Sequence, residues 1–576
     1  MDIFGTAVTA MQEVYNITMF IRNVITKVKE QDDDQRRFQN RLDVQLLFLD
    51  SFQALFFDKA GVLFLPEQLP SRAPRIVLNL LEELKRTLNE YNLFAIKHGF
   101  QIDEDSDKQD QNLTPDGNKQ EAGGLAARLD RWKRGLNIFK LKVYDWAIFD
   151  NERVDALLTT YERWSGNLRD IMQHFLQVAD IFNDKRSLQQ FVESNSARGI
   201  GLQEMAKRKL LSIEDPPEKY DALDGQIGDE ISSKSSPIHL TKYSKGADVA
   251  TVIVEYRRYD RRLREKNLKP QELLTLKAPI RNLAWLLRNS PFPEETNSIS
   301  EMPKQPTMYT LQCIGYIDEP DERQSCFLYR LPKSMASGNE IKLVTLNQFI
   351  LRNKKPVLGN RFVLAHALSL TLLNIHGSGW MHKNIWSQVV VLFPQIQQIA
   401  LENQAKLLQI SKESSPTTPH LLPYLVGWES ARPIQGRTDW DSNYDVEQNL
   451  YRHNLRQGQP KAQFSKAYDI YALGVVLLEI GCWKTLSMVF EDLIAELEDN
   501  PDPGRPKLAD AETVKDRLVE IARTDVAREM GESYTNVILA CLNTDFGVEV
   551  DDKNETNLSL AFGEKVVDVI ERGLTL

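Results

Sequence analysis

Apolar side chains recur at helical spacing through the first third of the chain. Phe4, Val8, Met11 and Tyr15 fall on one face of a helix, because their spacing follows the helical repeat. We place this helix over residues 1–28. Later in it, apolar residues occupy nearly the whole circumference, and they are Met19, Phe20, Ile21, Val24 and Ile25.

Three more helical stripes follow before residue 190. The acidic turn at residues 32–34 can start the second helix, since carboxylates favour the positive end of the helix dipole. Residues 103–124 carry hardly any apolar side chains, which predicts a mobile loop. We interpret the stripes as the core of a helical bundle. They consist of Phe38, Leu42, Leu46, Leu49, Phe52 and Phe56, then Ile76, Leu80, Leu84, Leu88 and Tyr91, then Val154, Leu157, Leu158, Tyr161, Trp164, Leu168, Ile171, Phe175, Val178 and Phe182.

The periodic pattern fails from Ser187 to about His239, where Gly, Ser, Asp and Pro accumulate, so residues 191–239 are predicted to be a linker. Beyond the linker, β-branched residues at 249–256 predict a strand, and mixed strand and helix patterns continue to the end. Further strands are predicted at 309–316 and 326–332, and helices at 270–287, 361–375, 468–480, 489–497, 511–523, 534–542 and 555–573.

Composition limits the classes of protein that fit these patterns. With 576 residues the chain is long enough for two domains, and with 42% hydrophobic residues and a mean hydropathy of -0.39 it is typical of a water-soluble fold. A net charge of -10 argues against nucleic acid as a partner, because no basic field attracts phosphates. Four widely spaced cysteines form no C-x-x-C motif and fit a reducing compartment. We expect no secretory signal and no membrane-spanning segment.

The stretch 376–393 resembles the catalytic loop of a protein kinase. In kinases this loop reads H-R-D-L-x-x-x-N, where Asp accepts a proton and Asn binds magnesium. Here His382 is followed by Lys383 and Asn384, and Val389 stands at the position of the metal-binding Asn. A neutral amide does not take up a proton at pH 7, and a Val has no oxygen for a hard cation. The resemblance implies that catalytic residues have been lost.

Two further segments extend this resemblance in chain order. Residues 468–480 resemble helix F of the kinase C-lobe, in which Asp469 would anchor the backbone of the catalytic loop. Residues 423–432 lie where D-F-G should begin the activation segment, and Gly427 aligns with the metal-binding Asp. His382 and Asp469 are accordingly predicted to have structural roles.

The kinase pattern is less complete before residue 300. Glu255 occupies the position of the lysine in V-A-I-K, and only Arg257 and Arg258 are nearby cations. Residues 242–247 contain one glycine instead of the G-x-G-x-x-G that closes over phosphates. Glu272 is a candidate for the acidic residue of helix C.

Residues 1–190 resemble the fungal HeLo domain. The residues that carry this resemblance are Phe4-Gly5-Thr6-Ala7-Val8, Arg41-Leu42-Asp43 and Lys142-Val143-Tyr144-Asp145-Trp146-Ala147-Ile148-Phe149-Asp150. The family implies an all-helical bundle in programmed cell death, whose first helix can leave the bundle and enter membranes. Met19, Phe20, Ile21, Val24 and Ile25 are the membrane candidates, and the alternative is that they are ordinary core residues.

These observations predict a multidomain protein. An all-α HeLo-like bundle over residues 1–190 is followed by a linker over 191–239 and an α+β, two-lobed, kinase-like domain over 240–576. The expected function is a signalling or cell-death regulator in which a catalytically dead kinase-like domain (a pseudokinase) controls the helical effector. No metal and no cofactor is expected, and ATP binding is left open.

The expected partners are other protein domains, a second copy through residues 1–190, and a membrane under activating conditions. We expect a cytoplasmic protein that is recruited to membranes when activated. Two alternatives stay open, namely an active but atypical kinase that recruits acids from elsewhere, and a scaffold without membrane activity. Against the active kinase, loss of the catalytic Asp alone should cost several orders of magnitude in rate.

Overall fold

The computed structural model divides the chain into two compact units. One unit contains Met1–Ile181 and Gln189–Met205, and the other contains Phe182–Leu188 and Ala206–Leu576. The structure describes residues 3–26, 33–56, 73–97, 151–178, 184–213, 216, 222–228, 238–259, 263, 268–288, 308–332, 343–394, 421–434, 436, 440–499, 508–548, 551 and 553–575. The predicted loop at 103–124 and the HeLo-like motif at 142–150 lie outside these residues.

Helices alone form the described part of the first unit. Its long helices pack side by side, with α1 against α2 and α3, and with α4 against α2 and α3. This is an all-helical arrangement, as the apolar periodicity predicts. The helices of this part of the chain are α1 (Ile3–Thr26), α2 (Asp33–Phe56), α3 (Ala73–Lys97), α4 (Asn151–Val178), α5 (Lys185–Glu193), α6 (Asn195–Gly199) and α7 (Leu202–Ile213), and α5 and α7 cross from one unit into the other.

The predicted stripe on α2 is confirmed as core, since all six of its apolar residues are buried. Phe48, Phe52 and Phe56 lie in a row, with ring centroids 6.0 and 4.6 Å apart. On α3 the predicted face is shifted in part, because Val77 and Leu81 are buried whereas Leu80 is half-buried. Helical spacing predicts the position of the buried face to within about one residue, and packing against the neighbouring helices determines which residues lie at the middle of that face.

Polar contacts join the long helices of the bundle. The Thr18 hydroxyl donates to the carbonyl of Val14 at 2.7 Å and shares a 2.8 Å hydrogen bond with the Tyr161 hydroxyl. This bond links α1 to α4 inside the core. At a more exposed position, Arg41 on α2 contacts Glu162 at 2.7 Å and Asp155 at 2.6 Å on α4. Buried hydroxyl pairs need partners, so the first bond fixes the rotation of α1.

The segment predicted as a linker contains regular structure. Helices α6 and α7 and strand β1 (Gln226–Ile227) lie within residues 191–239. A Cβ on Gly199 would lie 2.2 Å from the Ser51 Oγ, so α6 approaches α2 closely. Helix α6 and strand β1 have five and two residues, too few to produce a recognisable period, whereas the 12 residues of α7 were wrongly assigned to the linker.

The second unit contains a five-stranded antiparallel sheet. Its strand order is β1-β2-β3-β5-β4, and a tight turn at Gly246 connects β2 to β3. Strand β3 pairs on both sides and is the centre of the sheet. The helix α8 (Pro270–Arg288) lies between β3 and β4 in the chain and packs on β4. The other strands are β2 (Ile238–Lys245), β3 (Asp248–Arg258), β4 (Cys313–Glu319) and β5 (Gln324–Arg330).

Most of the second unit after residue 343 is helical. Two helices, α10 (Leu358–Gly377) and α12 (Lys466–Cys482), are apolar nearly all round and buried along most of their length, as expected for core helices. The other helices are α9 (Leu346–Arg352), α11 (Val446–Leu450), α13 (Leu486–Val489), α14 (Glu491–Asp499), α15 (Ala511–Ile521), α16 (Ala527–Met530), α17 (Glu532–Asn543), α18 (Thr556–Phe562) and α19 (Asp568–Arg572), with π-helical turns at Ala522–Val526 and Gly563–Val567.

Two small sheets hold the loops between these helices. The first contains β6 (Val344–Thr345), β8 (Val390–Pro394) and β9 (Leu421–Leu425), and the second pairs β7 (Trp380–Met381) with β10 (Arg432–Pro433). The chain thus has a helical unit and a unit that combines helices with antiparallel sheet. Within the described ranges, every helix is too short or too polar to cross a membrane.

Candidate functional site

Asp469 lies in the first turn of α12 and holds the loop that follows β7. Its side chain is 1% exposed. Oδ2 accepts the backbone N–H of His382 at 2.9 Å, and Oδ1 accepts the backbone N–H of Lys383 at 2.8 Å. The His376 ring adds a third contact, with 3.2 Å between Nε2 and Oδ2. One buried carboxylate therefore fixes the backbone of the loop to the central helix.

The imidazole of His382 connects this loop to the segment after β9. Nε2 lies 3.0 Å from the carbonyl oxygen of Val426, and Nδ1 accepts the backbone N–H of Asn384. These partners place the ring proton on Nε2. Burial lowers the pKa of His382 to about 4, so the ring is neutral at pH 7. The ring packs on Trp428, with centroids 4.6 Å apart.

Glu255 lies on the central strand β3 and points toward the same segment. Its carboxyl is 2% exposed. Oε2 accepts the backbone N–H of Gly427 at 3.1 Å and the hydroxyl of Tyr329 at 3.2 Å. Burial raises the pKa of Glu255 to about 7, and the N–H of Gly427 opposes that shift. The Glu255 carboxyl therefore fills the space between β3 and Gly427 and connects them through a hydrogen bond.

Gly427 has no room for a side chain. Its φ of +85° lies in the left-handed region, which side chains disfavour. A Cβ placed there would lie 2.5 Å from Cγ1 of Val389, closer than any real contact. Val389 thus excludes a carboxylate or amide side chain at position 427. The two positions that the resemblance assigns to metal ligands are filled by apolar packing.

The side chain of Asn384 links three segments of the site. Its Nδ2 donates to the carbonyl oxygen of Gly427 at 3.4 Å and to Oε1 of Glu429 at 3.3 Å. Its Oδ1 accepts a hydrogen bond from Nε2 of Gln448 on α11. An amide can make these contacts at once because it has both a donor and an acceptor, whereas an ionised carboxylate has only acceptors.

The structure brings Glu255, His382, Asn384, Val389, Gly427 and Asp469 into one connected cluster. It does not bring Glu272 there, since that exposed residue accepts the backbone N–H of Lys269 in the first turn of α8. The sequence pattern missed Tyr329 and Gln448, because each acts through a partner that is distant in the chain. It noted Arg257 only as a nearby cation. This guanidinium donates to the carbonyl oxygens of Trp428 and Ala431.

The membrane candidates lie on α1, in the first unit. Phe20 and Ile21 are core residues in this conformation, with exposures of 5% and 1%, and Met19 is half-buried. The side chains of Val24 and Ile25 lie outside the described part of the structure. Membrane contact by Phe20 and Ile21 would require α1 to leave the bundle.

No known protein-family model matches this chain, and no curated protein sequence matches it. Among the described residues, no group of three or more His, Cys, Asp or Glu side chains is arranged to hold a metal ion.

We expect Asp469→Ala to destabilise the second unit. The change leaves the buried amides of His382 and Lys383 without their acceptor, at a cost of about 1–3 kcal/mol for each unsatisfied group. Thermal unfolding and limited proteolysis of the full chain measure the loss. Asp516→Ala, at an exposed position on α15, is the matched control and should unfold like wild type. Wild-type melting and digestion of Asp469→Ala would contradict the anchoring role.

Glu255→Gln should stabilise the protein at pH 8 and have little effect at pH 5. Because the pKa of Glu255 is raised from 4.5 to about 7 on folding, the folded state binds more protons, and wild-type stability falls as pH rises across that interval. At about 1.4 kcal/mol per pKa unit, the full difference approaches ~3 kcal/mol. Denaturant unfolding from pH 5 to pH 8 measures it, with the exposed Glu496→Gln as control. A difference that does not change with pH would disprove this assignment.

Proposed function

We propose that the second unit is a kinase-like domain without catalytic activity, and that it regulates the helical unit as an effector in signalling of the cell-death type. The observation that carries this proposal is the contact between the Glu255 carboxyl and the N–H of Gly427. In a kinase, a lysine on β3 and a metal-binding Asp occupy these two positions.

The arrangement of elements supports the kinase-like part. Five antiparallel strands with α8 inserted between β3 and β4 precede a helical region, and the buried helix α12 anchors a loop through Asp469. Tertiary contacts between the positions that the resemblance singles out also support this part of the proposal. His382 packs on Trp428, and Asn384 reaches the carbonyl of Gly427.

Charge and space both oppose phosphoryl transfer at this cluster. Glu255 replaces a cation by an acid, which repels phosphate oxygens whenever it is ionised. Asn384 cannot act as a base, because its amide nitrogen donates to two acceptors and has no basic lone pair. The contact between Val389 and Gly427 leaves no oxygen ligand at either metal position. These three features favour a regulatory role over an atypical active kinase.

The effector part of the proposal rests on how α1 is held. Thr18 and Tyr161 link α1 to α4 through one buried hydrogen bond, and Arg22 pairs with Asp43 on α2 at a partly exposed position. Glu13 also pairs with Lys85 on α3, so release of the helix would break these polar links together with its apolar packing on α2 and α3. Once released, α1 would present Phe20 and Ile21, which are now in the core, to a membrane or to a second copy.

Purified protein is expected to transfer no phosphoryl group from magnesium-ATP to itself or to a generic peptide substrate, measured with radiolabelled γ-phosphate. Asn384→Asp should be equally inactive, because Gly427 and Val389 still exclude the metal. Magnesium-ATP should raise the Tm no more than magnesium tripolyphosphate does, since we expect the protein to make no specific contact with the nucleoside. A nucleotide present at about 100 times its Kd would add roughly 2.7 kcal/mol of stability, which is readily detected. Transfer by wild type that depends on magnesium would overturn the proposal.

Removal of residues 240–576 should increase self-assembly and binding to anionic liposomes, measured by sedimentation and leakage assays. Met19→Glu in this fragment should weaken membrane binding, because a charge at the centre of a bilayer costs at least ~2.5 kcal/mol. Met19 is half-buried, so this change disturbs the folded core less than one at Phe20 would.

Asn16→Glu adds the same charge at an exposed position of α1 and is the matched control for Met19→Glu. Circular dichroism shows whether each fragment is folded. If the folded wild-type fragment neither assembles nor binds liposomes of any tested composition, the effector role is contradicted. The scaffold without membrane activity is then the better explanation.

A further inference from the structure

A cavity of about 770 Å³ opens in the second unit beside the closed cluster. It lies between α8, the segment after β3, the loop at 383–385 and the residues that precede α12. Asn384 belongs to its wall, but Glu255, Val389 and Gly427 do not. Pockets for small molecules commonly occupy about 300–1,000 Å³, so the cavity is large enough for such a ligand.

Positive side chains predominate around this cavity. Six cations and three carboxylates line it, although the whole chain has a net charge of -10. A positive cavity on an acidic protein concentrates anions locally, because the walls focus the electric field. The cations are Arg257, Arg258, Lys383, Arg432, Arg452 and Arg456.

Hydrogen bonds to neutral groups orient several of these cations. Arg257 donates to the carbonyls of Trp428 and Ala431, and Arg456 donates to the carbonyl of Ala462 at 2.7 Å. Such bonds fix a guanidinium group without cancelling its charge. The aromatic ring of Phe464 lies under both Arg456 and Lys383, at 5.4 and 5.6 Å from its centroid.

The carboxylates of the wall have identified partners within the protein. Asp469 accepts the backbone N–H groups of His382 and Lys383, and Glu429 accepts a hydrogen bond from Asn384. Asp441 is the third acid. Asp469 is thus bound by the loop, whereas Glu429 also faces Arg258, Arg257 and Arg452, whose charges act on it. The six cations come from four separate segments of the chain around the cavity.

We propose that this cavity binds a small polyanion that carries several phosphate groups. A single phosphate would fill only a small part of 770 Å³ and could contact few of the six cations at once. A compact molecule with several phosphates matches both the volume and the distribution of charge, since planar guanidinium groups bind phosphate oxygens in pairs. Binding of such a ligand needs neither a base nor a metal, so it does not depend on whether the cluster is catalytic.

Isothermal titration calorimetry of the full chain with sodium tripolyphosphate tests this site. Wild type should bind with saturation, and affinity should fall as sodium chloride is raised, because salt screens the attraction. Arg258 is exposed, so Arg258→Gln should fold normally and bind more weakly, and Arg258→Lys should recover most of the affinity. The double variant Arg258→Gln/Arg452→Gln should lose about tenfold or more, the effect of removing charged hydrogen bonds.

Arg523→Gln is the matched control, since it removes one exposed positive charge on the π-helical turn away from the cavity. It should bind tripolyphosphate like wild type. Equal weakening by Arg523→Gln and Arg258→Gln would mean general surface attraction and would overturn the proposal. So would the absence of saturable binding, or a wild type that binds a phosphoserine peptide but not tripolyphosphate. The result is independent of the catalytic test, because tripolyphosphate carries no nucleoside.

Discussion

The attachment of one loop to the buried helix α12 through Asp469 supports the rest of the candidate site. That carboxylate receives two backbone amides and a histidine ring in a setting that excludes water. Because α12 is buried along nearly its whole length and packed into the core, the loop attached to it is held rigidly. The positions of His382 and Asn384 follow from this anchor. Loss of the anchor would release both side chains from the segment at 426–429.

Packing and internal hydrogen bonds occupy the positions where the kinase resemblance would place catalytic groups. Val389 fills the space against Gly427, and the Glu255 carboxyl takes the amide of that glycine. Asn384 uses its amide to connect the loop with Gln448 and Glu429. The residues at 389 and 427 depend on one another, since a side chain at 427 would collide with Val389. The cluster is therefore held together as one unit.

Local sequence patterns predicted the long elements well because those patterns are periodic over many turns. The six apolar residues of α2 are all buried, and the predicted helices at 361–375 and 468–480 fall within α10 and α12. Shorter elements escaped prediction. Helix α6 and strand β1 lie in the supposed linker, where five or fewer residues give no period to detect. The buried face of α3 also differs from the predicted one, because packing against the neighbouring helices determines which of two adjacent faces is buried.

The sequence by itself determined the chemistry of the side chains that the kinase resemblance places at catalytic positions: Glu255 is not a cation, Asn384 is not a base, and Val389 and Gly427 have no side-chain oxygen for a metal. Only the tertiary structure decided what those side chains do. Glu255 and Gly427 are 172 residues apart, and Glu255 and Tyr329 are 74 apart, so no local pattern could pair them. The cationic cavity likewise gathers charges from separate segments of an acidic chain. Contacts between distant residues arise from packing, which a linear pattern does not encode.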